Sequence, residues 1–238
     1  MSRPPLTVSV VIPALNERAE ITATLASVLG QPGPAEVLVV DGGSSDGTAG
    51  VAAQAGARVL DAPRGRARQM NAGAAAARSD VLLFLHADTR LPPDALAAVR
   101  AAFADPSVAG GCFRTTFDDA RSPWMRLWQA GAWVRWHRLA FGDRALFVRR
   151  AVFEAAGGFP DQPLFEDLEL VRRVRRHGRF VFLDAAVTTS ARRFRANGAL
   201  AQQLRNAALW AAWNLRVPPA RLKRFYPDAA RSGRAAPG

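Results

Sequence analysis

Apolar residues along this chain fall into two recurring patterns. Short apolar runs, Val8 to Ile12, Val37 to Val40 and Val81 to Asp88, the last ending in a histidine and a carboxylate, are bounded by proline, glycine or polar residues and read as strands buried on both faces of a parallel sheet. Between them, apolar positions recur at helical spacing. Ile21, Leu25, Val28 and Leu29 share one face of a helix for which Asn16 offers a cap, and Gln31 to Pro34 ends it. Thr48 to Ala55 predicts a second helix closed by Gly56, Arg58 to Leu60 a third strand, and Arg64 to Ala77 an alanine-rich helix. Pro92-Pro93-Asp94 then opens a helix with Leu96, Val99 and Phe103 inward. This alternation predicts an α/β fold with a doubly wound, Rossmann-like, mostly parallel sheet.

Beyond Val108 the rhythm changes. Gly110 to Phe117 and Ala145 to Val148 read as strands, Glu166 to His177 as a helix stopped by Gly178, and Phe180 to Leu183 as a further strand. Ser122 to His137 predicts a helix carrying Trp124, Trp128, Trp133 and Trp136, whose rings suit packing, the lining of an acceptor site or a lipid headgroup layer. Ala199 to Leu215 is a helix ended by Pro218-Pro219. Its Leu200, Leu204, Ala208, Ala211 and Leu215 form one side, fit to dock onto the domain or onto a dimer partner. The expected organisation is a catalytic domain over residues 6–190, a helical extension over 191–227 and a disordered tail over 228–238.

Composition narrows the class. With 238 residues, 49% of them hydrophobic and 22% charged, the chain predicts one globular domain with an appendage. No apolar window is long enough to span a bilayer and Met1 to Leu6 lacks the marks of a signal peptide, so a cytoplasmic protein is expected. The single cysteine, Cys112, excludes an internal disulfide and a cysteine-rich zinc site. The net charge of +12 comes almost wholly from arginine, Lys223 being the one lysine. Such a surface attracts nucleic acid, anionic lipid or a phosphorylated substrate, although a bias towards arginine codons gives the same composition.

Candidate chemistry gathers where strands end. Ligands of open α/β sheets bind beyond the carboxyl ends of the strands. Asp41-Gly42-Gly43-Ser44 follows the second strand; the glycines let backbone approach a ligand, and the carboxylate suits a pyrimidine imide or a ribose hydroxyl. An adenosylmethionine loop and a plain βα turn capped at Ser45 or Asp46 have the same look. Asp88, at the end of the strand begun at Val81, is a hard oxygen ligand for Mg²⁺ or Mn²⁺. His86, two residues earlier on an extended chain, points the same way and reaches metal or phosphate, or is simply hydrogen-bonded at the sheet edge. Glu166-Asp167 opens a helix. Either the dipole favours these carboxylates there or one of them is a general base.

Together these residues resemble the inverting family 2 glycosyltransferases. The pattern runs Val10-Val11-Ile12-Pro13 with Asn16-Glu17, Val39-Val40-Asp41-Gly42-Gly43-Ser44 with Asp46-Gly47-Thr48, Arg68 with Asn71-Ala72-Gly73, Phe84-Leu85-His86-Ala87-Asp88, Gly157-Gly158-Phe159, and Glu166-Asp167 with Leu170. The resemblance implies a GT-A-type fold and a nucleotide diphosphate sugar donor. It implies Pro13, Glu17 and Asp41 in the nucleoside pocket, with Asn16, Gly42, Gly43, Ser44, Asn71 and His86 also at the donor and Arg68 at its diphosphate. Asp88 is then the metal ligand, and Asp167, beside Glu166, the base. The wording Phe84 to Thr89, with Phe141-Gly142-Asp143 and Pro163 to Asp167, is similar to a small soluble subgroup linked to arsenosugar biosynthesis; Asp143 there lines the acceptor side or is a turn residue.

Three residues or stretches depart from the family pattern. Leu15 stands where many members stack an aromatic on the base, and His86 replaces the first acid of the usual Asp-x-Asp. Gln202 to Asn206 only partly matches the Gln-x-x-Arg-Trp of processive synthases, so a single transfer to a small-molecule or lipid acceptor is expected. No nucleic-acid partner is expected, while peripheral contact at the inner membrane face and a homodimer stay open. The alternatives are an adenosylmethionine-dependent methyltransferase built on Asp41-Gly42-Gly43, and a non-catalytic nucleotide-sugar or membrane-surface binding protein using Trp210, Trp213, Arg216, Arg221, Lys223 and Arg224.

Overall fold

The computed structural model describes residues 6–33, 35–118, 136–137 and 140–226. The tryptophans Trp124, Trp128 and Trp133 of the expected Ser122 to His137 helix lie outside the described residues, as does the expected tail over 228–238.

The first half follows the apolar runs. Strands β1 (Val8–Ala14), β2 (Ala35–Asp41), β3 (Arg58–Asp61) and β4 (Val81–Phe84) alternate with helices α1 (Arg18–Leu29), α2 (Thr48–Gln54) and α3 (Arg66–Ala76). They pair in parallel in the order β3-β2-β1-β4, with Val10 opposite Val37 and Leu83. Side chains of β1, β2 and β4 are buried on both sides, which is why their sequences read as continuous apolar runs rather than alternating ones. Helix α3 lies unusually close to the sheet: a Cβ on Gly73 would come within 2.3 Å of Val11 and 2.9 Å of Val40, so only glycine fits there.

The second half adds β5 (Thr89–Arg90), α4 (Ala95–Ala102), β6 (Val108–Phe117), β7 (Leu146–Arg149), α5 (Arg150–Ala155), α6 (Glu166–Val174) and β8 (Arg179–Thr189). The full order is β3-β2-β1-β4-β7-β6-β8-β5, and β7 runs antiparallel to both β4 and β6. The sheet is therefore mixed, parallel over β3-β2-β1-β4 and between β6 and β8, and antiparallel where β7 and β5 join. The β4 run, expected to be parallel on both sides, is parallel only towards β1. Because β7 reverses direction, its start lies at the same edge as the ends of β1, β2 and β4, and so do the ends of β6 and β8. One edge of the sheet collects all the loops that matter below.

After β8 come α7 (Arg192–Asn197), α8 (Ala199–Asn214) and α9 (Pro219–Leu222). The face of α8 is not the expected one. Leu200, Leu204 and Leu215 are exposed, and Gln202 and Leu209 are buried instead. Gln202 is tolerated inside because its amide accepts from Asn197 and donates to Asn206, at 2.7 and 2.8 Å. No described helix is long and apolar enough to cross a membrane.

Candidate active site

The loops after β1 and β2 hold each other. Asn16, in the left-handed region at φ 54°, does not cap α1; its side-chain Oδ1 accepts from the Ser45 N–H at 2.9 Å, and its backbone N–H donates to Ser44 Oγ. The Glu17 N–H donates to Thr48 Oγ1 and the Arg18 N–H to Asp46. Asp41 is buried at the end of β2, where its carboxylate accepts from the N–H groups of Gly43 and Ser44 and from the Ser44 hydroxyl. Beneath them Gln69 donates at 2.8 Å to the carbonyls of both Ala14 and Val40, tying the two strand ends together. Gly42 lies against that amide, since a Cβ there would be 3.0 Å from it. Pro13, Asn16, Glu17, Asp41, Gly42, Gly43 and Ser44 are thus brought to one place.

The chain beyond β4 turns rather than extending. Leu85 still bonds to β1, but the Thr89 N–H then closes onto the His86 carbonyl, so the expected extended geometry linking His86 and Asp88 is corrected to a turn. Two contacts hold Asp88 in place: Thr24 Oγ1 donates to the Ala87 carbonyl at 2.8 Å, and the Ser190 N–H donates to the Asp88 carbonyl at 3.0 Å. The Asp88 side chain is half-buried. On one side of it, Arg192 reaches back from the start of α7 to both oxygens of Glu17, at 2.8 and 3.0 Å. Burial pushes the Glu17 carboxyl up; Arg192 opposes this, and the Asp88 charge adds to it.

On the other side lie the carboxylates of the second half. Asp167 is buried in the first turn of α6, where its Oδ2 accepts from the Gly142 N–H and its Oδ1 from the Leu168 N–H. A Cβ on Gly142 would sit 3.0 Å from His86 Nε2 and 3.2 Å from Asp167 Oδ2, so His86, Gly142 and Asp167 converge. Burial, followed by the neighbouring Glu166 charge, pushes the Asp167 carboxyl up to about 7. Glu166 is itself buried and 3.5 Å from Arg66. Burial alone would lower the Arg66 pKa, but Glu166, Asp167 and Asp88 among its neighbours raise it. Asp143, on a short 3-10 turn over Gly142–Arg144, is pushed up by burial; Arg144 counters this and Asp88 reinforces it.

Two expected donor residues are engaged elsewhere. Arg68 makes a bidentate ion pair with Asp161, both exposed, and the Asn71 amide donates to and accepts from the Phe159 backbone at 2.8 and 2.9 Å. Both anchor the loop over residues 157–161. Arg66, Gln69 and Arg192 were not singled out from the sequence. Gln69 and Arg66 lie within the expected α3 helix, one turn apart, but nothing local marks Arg192, which meets Glu17 across most of the chain.

The arrangement joins a satisfied pair of loops, a half-buried carboxylate and a buried carboxylate with a pKa near neutrality. Comparison with known proteins adds the following. The model of the family described as Glycosyl transferase family 2 matches residues 9–159. The Probable glycosyltransferase YdaM of Bacillus subtilis (strain 168) is 30% identical over 211 residues, covering 76% of this chain and 50% of its own. An uncharacterized protein of Mycobacterium tuberculosis (strain CDC 1551 / Oshkosh) is 42% identical over 107 residues, which are 42% of this chain and 34% of its own. This chain spans at most half the length of these two curated relatives. Among solved structures, S. aureus TarS 1-349 superposes with a TM-score of 0.66 at 16% identity, over 92% of this chain and 69% of that one. Mannosyltransferase PcManGT from Pyrobaculum calidifontis, in complex with GDP-Man and Mn2+, gives 0.66 at 21% identity, over 92% and 67%. These likenesses establish the GT-A fold.

Proposed function

The chain belongs to glycosyl transferase family 2, and from that premise we propose that it moves a sugar from a nucleotide diphosphate sugar to a hydroxyl of a small-molecule or lipid acceptor, with inversion. The observation that carries this reading is the buried Asp167, its pKa pushed up to about 7, at the same sheet edge as the half-buried Asp88. A base poised near operating pH is what removal of a hydroxyl proton requires. Family membership displaces the methyltransferase alternative.

The donor half lies over the loops of Asn16 and Asp41, whose exposed Gly43 lets a nucleoside approach the backbone. A divalent cation fits Asp88 by the chemistry of its oxygen donors, and the buried Asp143 Oδ1, with no hydrogen-bond partner among the described residues, fits the same cation. Among the described residues no group of three or more His, Cys, Asp or Glu could hold a metal ion, so the diphosphate would have to supply the ligands that the protein does not. When bound, Mg²⁺ or Mn²⁺ supplies charge stabilisation to the departing diphosphate. Arg192 and Arg66 carry positive charge beside Asp88 for the same purpose.

In the transfer, the acceptor oxygen bonds to the anomeric carbon as the bond from that carbon to the diphosphate oxygen breaks. The hydroxyl proton passes to Asp167, and the nucleoside diphosphate leaves with the bonding pair. Incubation with UDP-glucose, UDP-N-acetylglucosamine and GDP-mannose in Mn²⁺, following nucleoside diphosphate release over an acceptor panel, tests this. Release from one donor is expected; no release and no binding with any of the three would contradict it.

A lipid acceptor has its own support. Leu204 on α8 and Leu215 just after it are 63% and 80% exposed, and Phe225 is 68% exposed, with the exposed Arg216, Arg221 and Arg224 close in sequence. Apolar side chains flanked by arginines suit an anionic membrane surface. Sedimentation with anionic liposomes at low salt tests it, and a protein left in the supernatant would argue for a small-molecule acceptor.

A further inference from the structure

The family pattern puts a carboxylate two residues before Asp88, and this chain has His86 there. The missing charge lies elsewhere at the same edge. Asp143 occupies a turn fixed from three sides: the preceding Gly142 N–H donates to Asp167, Thr115 Oγ1 donates to the Asp143 carbonyl at 3.3 Å, and the following Ala145 is held in the left-handed region at φ 49°. Gly142 is also the residue wedged against His86, so this turn packs directly on the loop that carries Asp88.

The Asp143 Oδ1 atom is buried and has no hydrogen-bond partner among the described residues. A buried carboxylate oxygen without a donor is costly, and such a group in a fixed turn ordinarily has a counter-charge. Arg144 supplies part of one. Asp88 stands on the loop against which Gly142 packs, and a divalent cation shared by the two carboxylates would turn their mutual repulsion into attraction.

We propose that Asp143 is the second carboxylate of the divalent-cation site, replacing through space the acid that His86 displaces in sequence. The inference rests on the metal-dependent donor binding proposed above. His86, packed against Gly142 of this turn, then positions the two loops rather than supplying charge.

The test is Mn²⁺ titration followed by electron paramagnetic resonance, in the presence of UDP and, separately, GDP, on wild type, Asp88→Asn and Asp143→Asn. The expected result is metal uptake by wild type with one nucleotide, weakened about tenfold or more in each variant. The Asp143→Asn protein should keep the melting temperature of wild type measured without metal to within a few degrees, which separates lost coordination from a damaged fold. Asp143→Ser is the fallback if the asparagine variant does not fold. Wild-type Mn²⁺ affinity in Asp143→Asn, with loss in Asp88→Asn, would overturn this inference and leave the metal-dependent reading intact. No uptake by wild type with either nucleotide would overturn both.

Discussion

The loops after β1 and β2 and the turns before β7 and α6 meet at one edge of the sheet, but they are stabilised in opposite ways. In the first pair, the polar groups that hold the loops are answered by their neighbours: Asp41 accepts three hydrogen bonds within its own loop, Asn16 bridges to Ser44 and Ser45, and Gln69 ties the strand ends beneath. In the second, Asp167 and the Oδ1 of Asp143 are buried against their preference for water, and the pKa values of both groups are raised. The first pair is preorganised to receive a ligand. The second holds groups whose ionisation burial opposes, the usual condition of residues that exchange protons.

Substitutions can break this contrast. Asp167→Asn should lower transfer by about 10²- to 10⁴-fold while leaving nucleotide binding unchanged, as measured by product formation beside calorimetry. Unimpaired transfer would remove the base from the account. The pH profile should follow: the rate rises with pH as Asp167 loses its proton, climbing towards a plateau above about 7, and Asp167→Asn should abolish that rise.

Stability should respond in the reverse sense. The folded-state pKa of Asp167 is raised, so its contribution to stability is present in acid and lost as pH rises through about 7. Asp167→Asn should therefore melt higher than wild type at pH 8 and show no such gain at pH 4. Equal melting temperatures at both pH values would mean that burial of this carboxylate is relieved by solvent.

On the donor side the order reverses, with stability and binding falling together. Asp41→Ala removes the acceptor for three donors in a buried loop and should cost on the order of 1 to 3 kcal/mol in chemical denaturation, with weaker nucleotide binding. The smallest effect belongs to Arg192→Gln. Its ion pair with Glu17 is half-exposed and should contribute about 1 kcal/mol or less to stability. Binding of the nucleoside diphosphate should fall further than stability does if Arg192 serves the diphosphate.

The same contrast explains what the sequence disclosed. Strands β1, β2 and β4 were legible because burial on both faces demands unbroken apolar runs. The second half of β8 was not, because Asp184-Ala185-Ala186 carries no such run and the strand is held instead by pairing with β6 at Arg114 to Phe117. The face of α8 was misread because hydrophobicity favoured Leu204 and Leu215, whereas Gln202 goes inside on the strength of two amide contacts no local pattern reveals. The candidate carboxylates were visible as residue types after strands. The raised pKa values of Glu17, Asp143 and Asp167 and the Glu17–Arg192 pair arise from closures between distant segments, and Arg68 and Asn71 were legible as polar helix residues but not as anchors of the 157–161 loop.

The central claim is a division of labour, with Asp88 serving the donor and Asp167 the acceptor. Calorimetric titration of UDP and GDP, with Mn²⁺, into wild type, Asp88→Ala and Asp167→Asn tests it most directly. The account predicts metal-dependent binding of one nucleotide, lost in Asp88→Ala and kept in Asp167→Asn. Equal binding by all three proteins, or loss in Asp167→Asn alone, would contradict it.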